Sequence, residues 1–420
     1  MIVKNEERNI ERSLEWAKSI MFEQIVVDTG STDRTVEIAK QMGADVYHFE
    51  WIDDFSAARN YAMSKAIGNW IIILDADEYL LPEDALNLID YLKRLQDDPE
   101  QLASCSVINC KLINVDDNGK PASIYDAMRV IKNDSTVKYI GSIHERLDVD
   151  ADMVVWTDEF KIIHTGYSES SVKESNKIER NISMLRKSMA LSEDNLALKV
   201  YLADSLKMKD DNESQEEAER YFIEAIENGA DKIFYKLRVK AYIHMLNKYI
   251  NDPQKLAECE ILCNRALAEF PESLDFEYYM ASVLCHKGDY REAWNILKAG
   301  EERLRNSGNT GISYHVQADP TMLYSRLLLA AQGLKDLDEV IKYAKLILYT
   351  EKNRQDVLSP LIAIMLSRDA SAEALINLLS SIYDMNDPND LLIIARAAKS
   401  CGAFEFAGIV MTITKELLNS

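Results

Sequence analysis

The sequence predicts an α/β domain followed by an all-α repeat domain. Up to about residue 170, short apolar β-branched runs alternate with amphipathic helical stretches, and from Ile178 onward the pattern is helical throughout. A third observation concerns function. The apolar run Ile71–Leu74 ends abruptly in Asp75-Ala76-Asp77, and open α/β sheets bind ligands at the carboxyl ends of their strands.

Taken in order, Met1-Ile2-Val3 begins as a strand, and Lys4-Asn5-Glu6-Glu7 leads into a helix with Ile10, Leu14, Ala17 and Ile20 on one face. Ile25-Val26-Val27 is a second buried strand, ending in the turn-forming stretch Asp28–Asp33 before a helix over Thr35–Met42. A third helix opens at Asp54 and carries Phe55, Ala58, Ala62 and Ala66 on one face. Ile71–Leu74 is hydrophobic on both faces, which predicts a buried central strand of a parallel sheet. On an extended segment Asp75 and Asp77 point to the same side and Glu78 to the other, so Glu78 is left out of the candidate site. A hard divalent cation and a diphosphate both suit such a carboxylate pair; two solvated turn aspartates are the alternative.

Pro82-Glu83-Asp84 starts a further helix, with Ala85, Leu88, Ile89, Leu92 and Leu95 as its apolar face. Cys105–Val115 reads as a strand, Asp116-Asp117-Asn118-Gly119 as a hairpin turn, and Arg129–Ile131, Val137–Ile140 and Phe160–Ile163 as further strands. The first domain is expected over 1–170, closed by the polar link Ser168–Ser175, with a linker helix over 171–195 and the repeat domain over 196–420. Within that domain, Ala203, Ala218, Phe222 and Ala225 recur as Ala281, Ala293 and Leu297. Pro271, Gly288-Asp289-Tyr290 and Trp294 complete a tetratricopeptide-like unit, whose usual period is about 34 residues. A looser third copy runs through Leu327, Leu328, Gly333, Asp336, Val340 and Ala344, and the last helices, Asp390–Leu418, cap the stack. Stacked helix pairs offer a long surface to an extended peptide, with dimerisation as the other use.

Composition sets bounds. A net charge of −22 argues against nucleic acid as a partner, since phosphate backbones need clustered Lys and Arg. The charge is uneven: residues 1–170 hold 17 Lys+Arg against 32 Asp+Glu, a net of −15, which leaves −7 for the rest. An acidic domain that binds a diphosphate gains from a divalent metal. No apolar run approaches transmembrane length and Lys4–Arg12 is charged, so a cytoplasmic protein is expected. The six cysteines lack paired-ligand spacing, and Cys259 and Cys263, one helical turn apart, read as core.

MIVKNEE, VVDTGSTDRT, DFSAARNYA and ILDADE, in this order and spacing, resemble the amino-terminal half of a family-2 glycosyltransferase of the GT-A fold. Gly141–Leu147 and Ile162–Tyr167 are similar to later motifs of the same group, so the resemblance covers about residues 1–190. Members usually carry several residues ahead of MIVKNEE, where this sequence has Met1. The resemblance implies an inverting transfer from a UDP-sugar, of glucose or N-acetylglucosamine type, with Mg²⁺ or Mn²⁺. Combined with the helical repeats, it is similar to bacterial peptide and protein glycosyltransferases that modify Cys, Ser or Thr. Transfer to a lipid-linked or cell-envelope glycan, or a non-catalytic repeat scaffold, are the alternatives.

Site residues follow from the motifs. The resemblance assigns Asp28 to the uracil imide; capping of its own turn is the alternative. Arg59 suits paired contacts with base or phosphate, or else a salt bridge to Asp53 or Asp54. Asp75 is implied to face the ribose or the metal through water, and Asp77 to ligate the metal. Glu145 is the candidate general base, with His144 as the alternative. His164, after an apolar strand, reads as a third metal ligand or as a core histidine bonded to backbone.

Overall fold

The computed structural model describes residues 1–116, 119–134, 136–165, 175–192, 194–230, 232–307 and 315–419. Most of the expected link Ser168–Ser175, the Asp117-Asn118 pair of the hairpin turn, and Gly166 and Tyr167 lie outside the described residues. The chain forms two compact units, Met1–Tyr221 and Phe222–Ser420. This division falls later than the boundary near 170 that the sequence suggests. Helices Ser175–Ala190 and Leu196–Leu206 pack on the α/β core: the Ser188 hydroxyl lies 2.6 Å from that of Ser142, Lys187 pairs with Asp53, and the Tyr201 ring stacks on His144.

In the first unit, β1 (Ile2–Val3), β2 (Ile25–Asp28) and β3 (Asp45–His48) form a parallel sheet in that order, with Ile2 opposite Val27 and Val26 opposite Val46. Val26 and Val27 are completely buried, as expected of β-branched residues in a parallel strand. Helices α1 (Ile10–Glu15) and α2 (Thr35–Gln41) follow β1 and β2, and Ile10, Leu14 and Ala39 pack into the same core. α3 (Phe55–Met63) begins where the Asp54 carboxylate accepts the Ala57 N–H at 2.9 Å.

The second sheet contains β4 (Trp70–Ile72), β5 (Glu78–Tyr79), β6 (Val107–Val115), β7 (Pro121–Lys132) and β10 (Val154–His164), in the order β4-β7-β6-β10-β5. β6 and β10 run parallel, and the other pairs are antiparallel. α4 (Pro82–Asp97) lays Ala85, Leu88 and Leu95 against Ile108, Leu112, Phe160 and Ile162 of this sheet. β8 (Lys138–Ile140) and β9 (Arg146–Asp148) make a separate hairpin.

Two expectations need correction. β4 is an antiparallel end strand, because Trp70–Ile72 pairs with Val130–Lys132 and the Ile73 N–H donates to the Arg129 carbonyl at 2.8 Å. Its three residues are only half-buried, so hydrophobicity on both faces did not signal a central parallel strand. Asp75–Asp77 is a turn rather than extended chain, since the Glu78 N–H returns to the Asp75 carbonyl at 3.0 Å. Alternation therefore does not set where these carboxylates point.

The second unit is helical, and among the described residues no helix is long and apolar enough to cross a membrane. Consecutive helices such as Leu274–Lys287 and Tyr290–Ser307, or Pro320–Leu334 and Leu337–Thr350, pack in pairs around small residues. Ala281, Ala293, Ala331 and Ala344 are buried, as the tetratricopeptide-like pattern requires. Cys259 and Cys263 are buried free thiols. Gly333 packs so close to Tyr290 that an added Cβ would lie 2.2 Å from the ring's Cγ.

The glycine is thus a packing requirement. Gly333→Ala should destabilise the second unit by about 1–3 kcal/mol through overpacking, despite Ala's advantage of about 1 kcal/mol in a helix interior. Removing the ring as well, in Gly333→Ala/Tyr290→Ala, should cost less than the two single losses added together. Urea unfolding of the full chain measures both; additive losses would contradict the contact as the cause.

Candidate functional site

The candidate site lies in a cleft of about 490 Å³ in the first unit, lined among others by Arg59, Asp75, Asp77, His144, Glu145 and His164. Three turns build it. Asn5 accepts the Thr32 N–H at 2.8 Å and donates its own N–H to Ser31 at 2.9 Å, while the Glu6 N–H reaches the Thr35 hydroxyl at 2.7 Å. The loop after β1 and the loop after β2 are therefore one hydrogen-bonded surface. The Asp75–Glu78 turn is held from beneath by Ser13, whose hydroxyl donates to the Ala76 carbonyl.

α3 carries the third turn. The Phe55 N–H donates to the Ser142 carbonyl at 2.8 Å, and the Ser56 hydroxyl to the Gly141 carbonyl at 2.5 Å. Asn60 bonds both backbone groups of Tyr139, at 2.8 and 2.9 Å. These bonds fix the hairpin whose tip holds His144 and Glu145. Gly141 and His144 have φ of +93° and +53°, so the chain reverses sharply there.

Arg59 ties the site together. It is 8% exposed; its Nε donates to Glu145 Oε1 at 2.7 Å and its Nη2 to Asp75 Oδ1 at 2.8 Å. Arg129 approaches the other oxygen of Asp75 at 3.4 Å and pairs with Glu78. Burial opposes the charge on Asp75, but Arg59 first and Arg129 next hold its carboxyl well below the usual carboxylate range. For Glu78, which is 1% exposed, burial dominates and pushes the carboxyl upward. Among the described residues Arg59 Nη1 and Arg129 Nε are buried donors with no hydrogen-bond partner, so unspent hydrogen-bonding capacity remains beside Asp75.

Asp77 faces His164, with Oδ2 and Nε2 3.4 Å apart. On its other side His164 Nδ1 lies 2.6 Å from Asn114 Oδ1, and Asn114 donates its amide to Ser123 at 2.7 Å. This presents the amide oxygen to Nδ1, which becomes the N–H donor and leaves Nε2 directed at Asp77. The hydrogen bond to Asp77 raises the pKa of His164 against the opposing effect of burial. Among the described residues, no group of three or more His, Cys, Asp or Glu converges to hold a metal on its own. The Asp77–His164 pair thus fits a divalent ion only as two ligands of a larger set, completed by water or phosphate oxygens.

Asp28 stands apart from this cluster. Its carboxylate accepts the Gly30 and Ser31 N–H groups at 3.2 and 3.0 Å and lies 3.4 Å from His48. Burial raises its pKa, but the Ser31, Gly30 and His48 bonds outweigh that and keep it below the ordinary value. Thr29, rather than Asp28, lines the cleft. The salt bridges considered for Arg59 with Asp53 or Asp54 are not formed; Asp53 pairs with Lys187 and Asp54 caps α3.

Residues 1–103 match the family described as glycosyl transferase family 2. The amino-terminal segment 1–103 is thus similar to family 2 glycosyltransferases. A TPR repeat-containing protein of Synechococcus elongatus is 48% identical over 103 residues, which cover 24% of this chain and 25% of that protein. The SPbeta prophage-derived glycosyltransferase SunS of Bacillus subtilis is 24% identical over 291 residues, covering 68% of this chain and 65% of SunS. The chain therefore spans less than two thirds of the length of either relative. Among solved structures, S. aureus TarS 1–349 is 14% identical with a TM-score of 0.32, covering 68% of this chain and 89% of that one.

Two residues of the site stand outside those expected from the sequence: Arg129, and Glu78, which alternation places on the opposite side. Both left a signal: a charged residue at the head of the apolar run Arg129–Ile131, and a third acid directly after Asp75-Ala76-Asp77.

The raised pKa of His164 sets a pH dependence. Its ion pair with Asp77 stabilises the fold fully below the ordinary histidine value of about 6.5 and is lost as pH rises through the higher folded-state value. His164→Gln should therefore cost more stability at pH 5.5 than at pH 9, by no more than about 1 kcal/mol for a partly exposed pair. Urea unfolding at the two pH values checks this; an equal cost at both would exclude the ion pair.

Proposed function

We propose that this chain is an inverting glycosyltransferase that moves a sugar from a UDP-sugar to a Ser, Thr or Cys side chain of a peptide or protein. One observation carries the reading. Asp75, Asp77, His164 and an arginine-anchored Glu145 share one cleft, in a domain that carries the glycosyltransferase match.

In this scheme Asp77 and His164 would hold a Mg²⁺ or Mn²⁺, and Asp75 stays ionised between two arginines beside the donor. Such an ion would supply positive charge against the negative charge of the departing diphosphate. Glu145 accepts the proton of the acceptor hydroxyl or thiol as the acceptor atom bonds to the anomeric carbon. The bond from that carbon to the phosphate oxygen breaks, and its electron pair leaves with UDP. Arg59 keeps the Glu145 carboxylate in place through Nε, and His144, stacked 4.0 Å from Tyr201, borders the acceptor side. The helical second unit offers the surface for a polypeptide acceptor, or for a second copy of the chain.

Asp77→Ala should leave the chain folded, because the side chain is only half-buried and lies on a turn rather than in the apolar core, and should abolish the Mn²⁺ dependence of UDP binding. Calorimetry of both proteins with and without Mn²⁺ tests it; identical binding in all four titrations would remove the metal role. Glu145→Gln keeps shape but not basicity, so turnover should fall by about 10²–10⁴-fold with UDP-sugar affinity little changed. Near-normal turnover in Glu145→Gln together with a large loss in His144→Ala would transfer the role to His144.

A further inference from the structure

Helix Ser175–Ala190 lies beyond the residues that match the family, yet Lys177, Arg180 and Asn181 line the cleft. Their spacing of three and four residues puts them on one helix face. Elsewhere the cleft is rich in carboxylates: Glu6, Asp75, Asp77 and Glu145 all line it. Of the facing cations, Arg59 is already committed to Asp75 and Glu145. Lys4, on the loop after β1, also lines the cleft, and further positive charge for an incoming anion comes from the helix.

The helix supplies it in a fixed position. The Arg180 guanidinium lies 5.6 Å from the centre of the Phe55 ring, and Phe55 lines the cleft with its N–H bonded to the Ser142 carbonyl. Arg180 is exposed, and its hydrogen bond to Asn181 Oδ1 is a long one, 3.4 Å. Lys177 is close enough to act on the Glu6 carboxylate, which sits on the loop after β1. The two cations thus extend from the mouth of the cleft toward the turns that carry the acids.

We infer that Lys177 and Arg180 form an anion-binding wall that holds the diphosphate of a nucleotide donor, an assignment that rests on reading the cleft as a donor site. A nucleoside diphosphate fits because Arg presents a fork to phosphate oxygens and Lys adds a point charge. The helix then completes a binding site whose other walls come from the motif-bearing turns.

Calorimetry of the full chain with UDP, uridine and inorganic pyrophosphate, at fixed Mg²⁺, tests the wall. The variant Lys177→Ala/Arg180→Ala should lose about tenfold or more in UDP affinity, with uridine affinity unchanged within about twofold. Arg180→Lys should keep more affinity than Arg180→Ala. Unchanged UDP affinity in the double variant overturns the inference, as does an equal loss for UDP and uridine. If the full chain binds no UDP, the donor-site reading fails, and pyrophosphate then decides the wall. Pyrophosphate bound by the wild type and lost from the double variant supports it; no binding by the wild type overturns it.

Discussion

The site depends on one buried guanidinium. Arg59 joins Asp75, on the turn after β4, to Glu145, at the tip of the β8–β9 hairpin. Without it, two carboxylates from distant parts of the chain would repel each other in a partly desolvated space. Its cost is its own desolvation, which is offset by the two carboxyl partners it bonds and by Tyr139 beneath it, 5.5 Å from the guanidinium carbon. The spacing between the donor side and the proposed base is thus set by the width of one planar group.

A second constraint explains why the sequence motifs occur together. The loop Lys4–Glu7 and the turn Asp28–Arg34 satisfy one another's backbone groups: Asn5 with Ser31 and Thr32, Glu7 with Asp33 and Arg34. The polar face of α3 does the same for the Gly141–Glu145 turn through Phe55 and Ser56, and for the adjoining Tyr139 through Asn60. Each motif is therefore half of an interlocked pair. Ser31, Thr32 and Asp33 act chiefly as loop architecture, and Asp28 organises its own turn rather than facing the cleft.

The order of strands and helices in the first half was legible because buried β-branched runs and apolar helix faces leave periodic signals, as at Val26-Val27 and at Ala85, Leu88 and Leu95. Sheet topology was less so. An apolar run such as Ile71–Leu74 states burial but not its partner, and only the return of β7 from its hairpin with β6 decides it. Likewise, Asp75, Asp77, Glu145 and His164 were legible as acids and a histidine at element ends, while Arg129 was not, because its role arises from a cross-strand pairing 54 residues from Asp75. The attachment of helices Ser175–Ala190 and Leu196–Leu206 to the first unit was hidden for a similar reason. A single stack such as that of His144 on Tyr201 carries no periodicity.

The lengths of chain closed by these contacts imply an order of assembly. Asn5 meets Ser31 across 26 residues, whereas Asn60 meets Tyr139 across 79 and Arg59 meets Glu145 across 86. Loop-closure entropy grows with the segment enclosed, and pairings distant in sequence form more slowly than local ones. The turns after β1 and β2 can thus take shape within the first βαβ units as the chain emerges from synthesis. The β8–β9 hairpin must wait for everything between. During that interval Arg59 has only half of its final partners, and the acid proposed to take the proton is the second of the two to arrive.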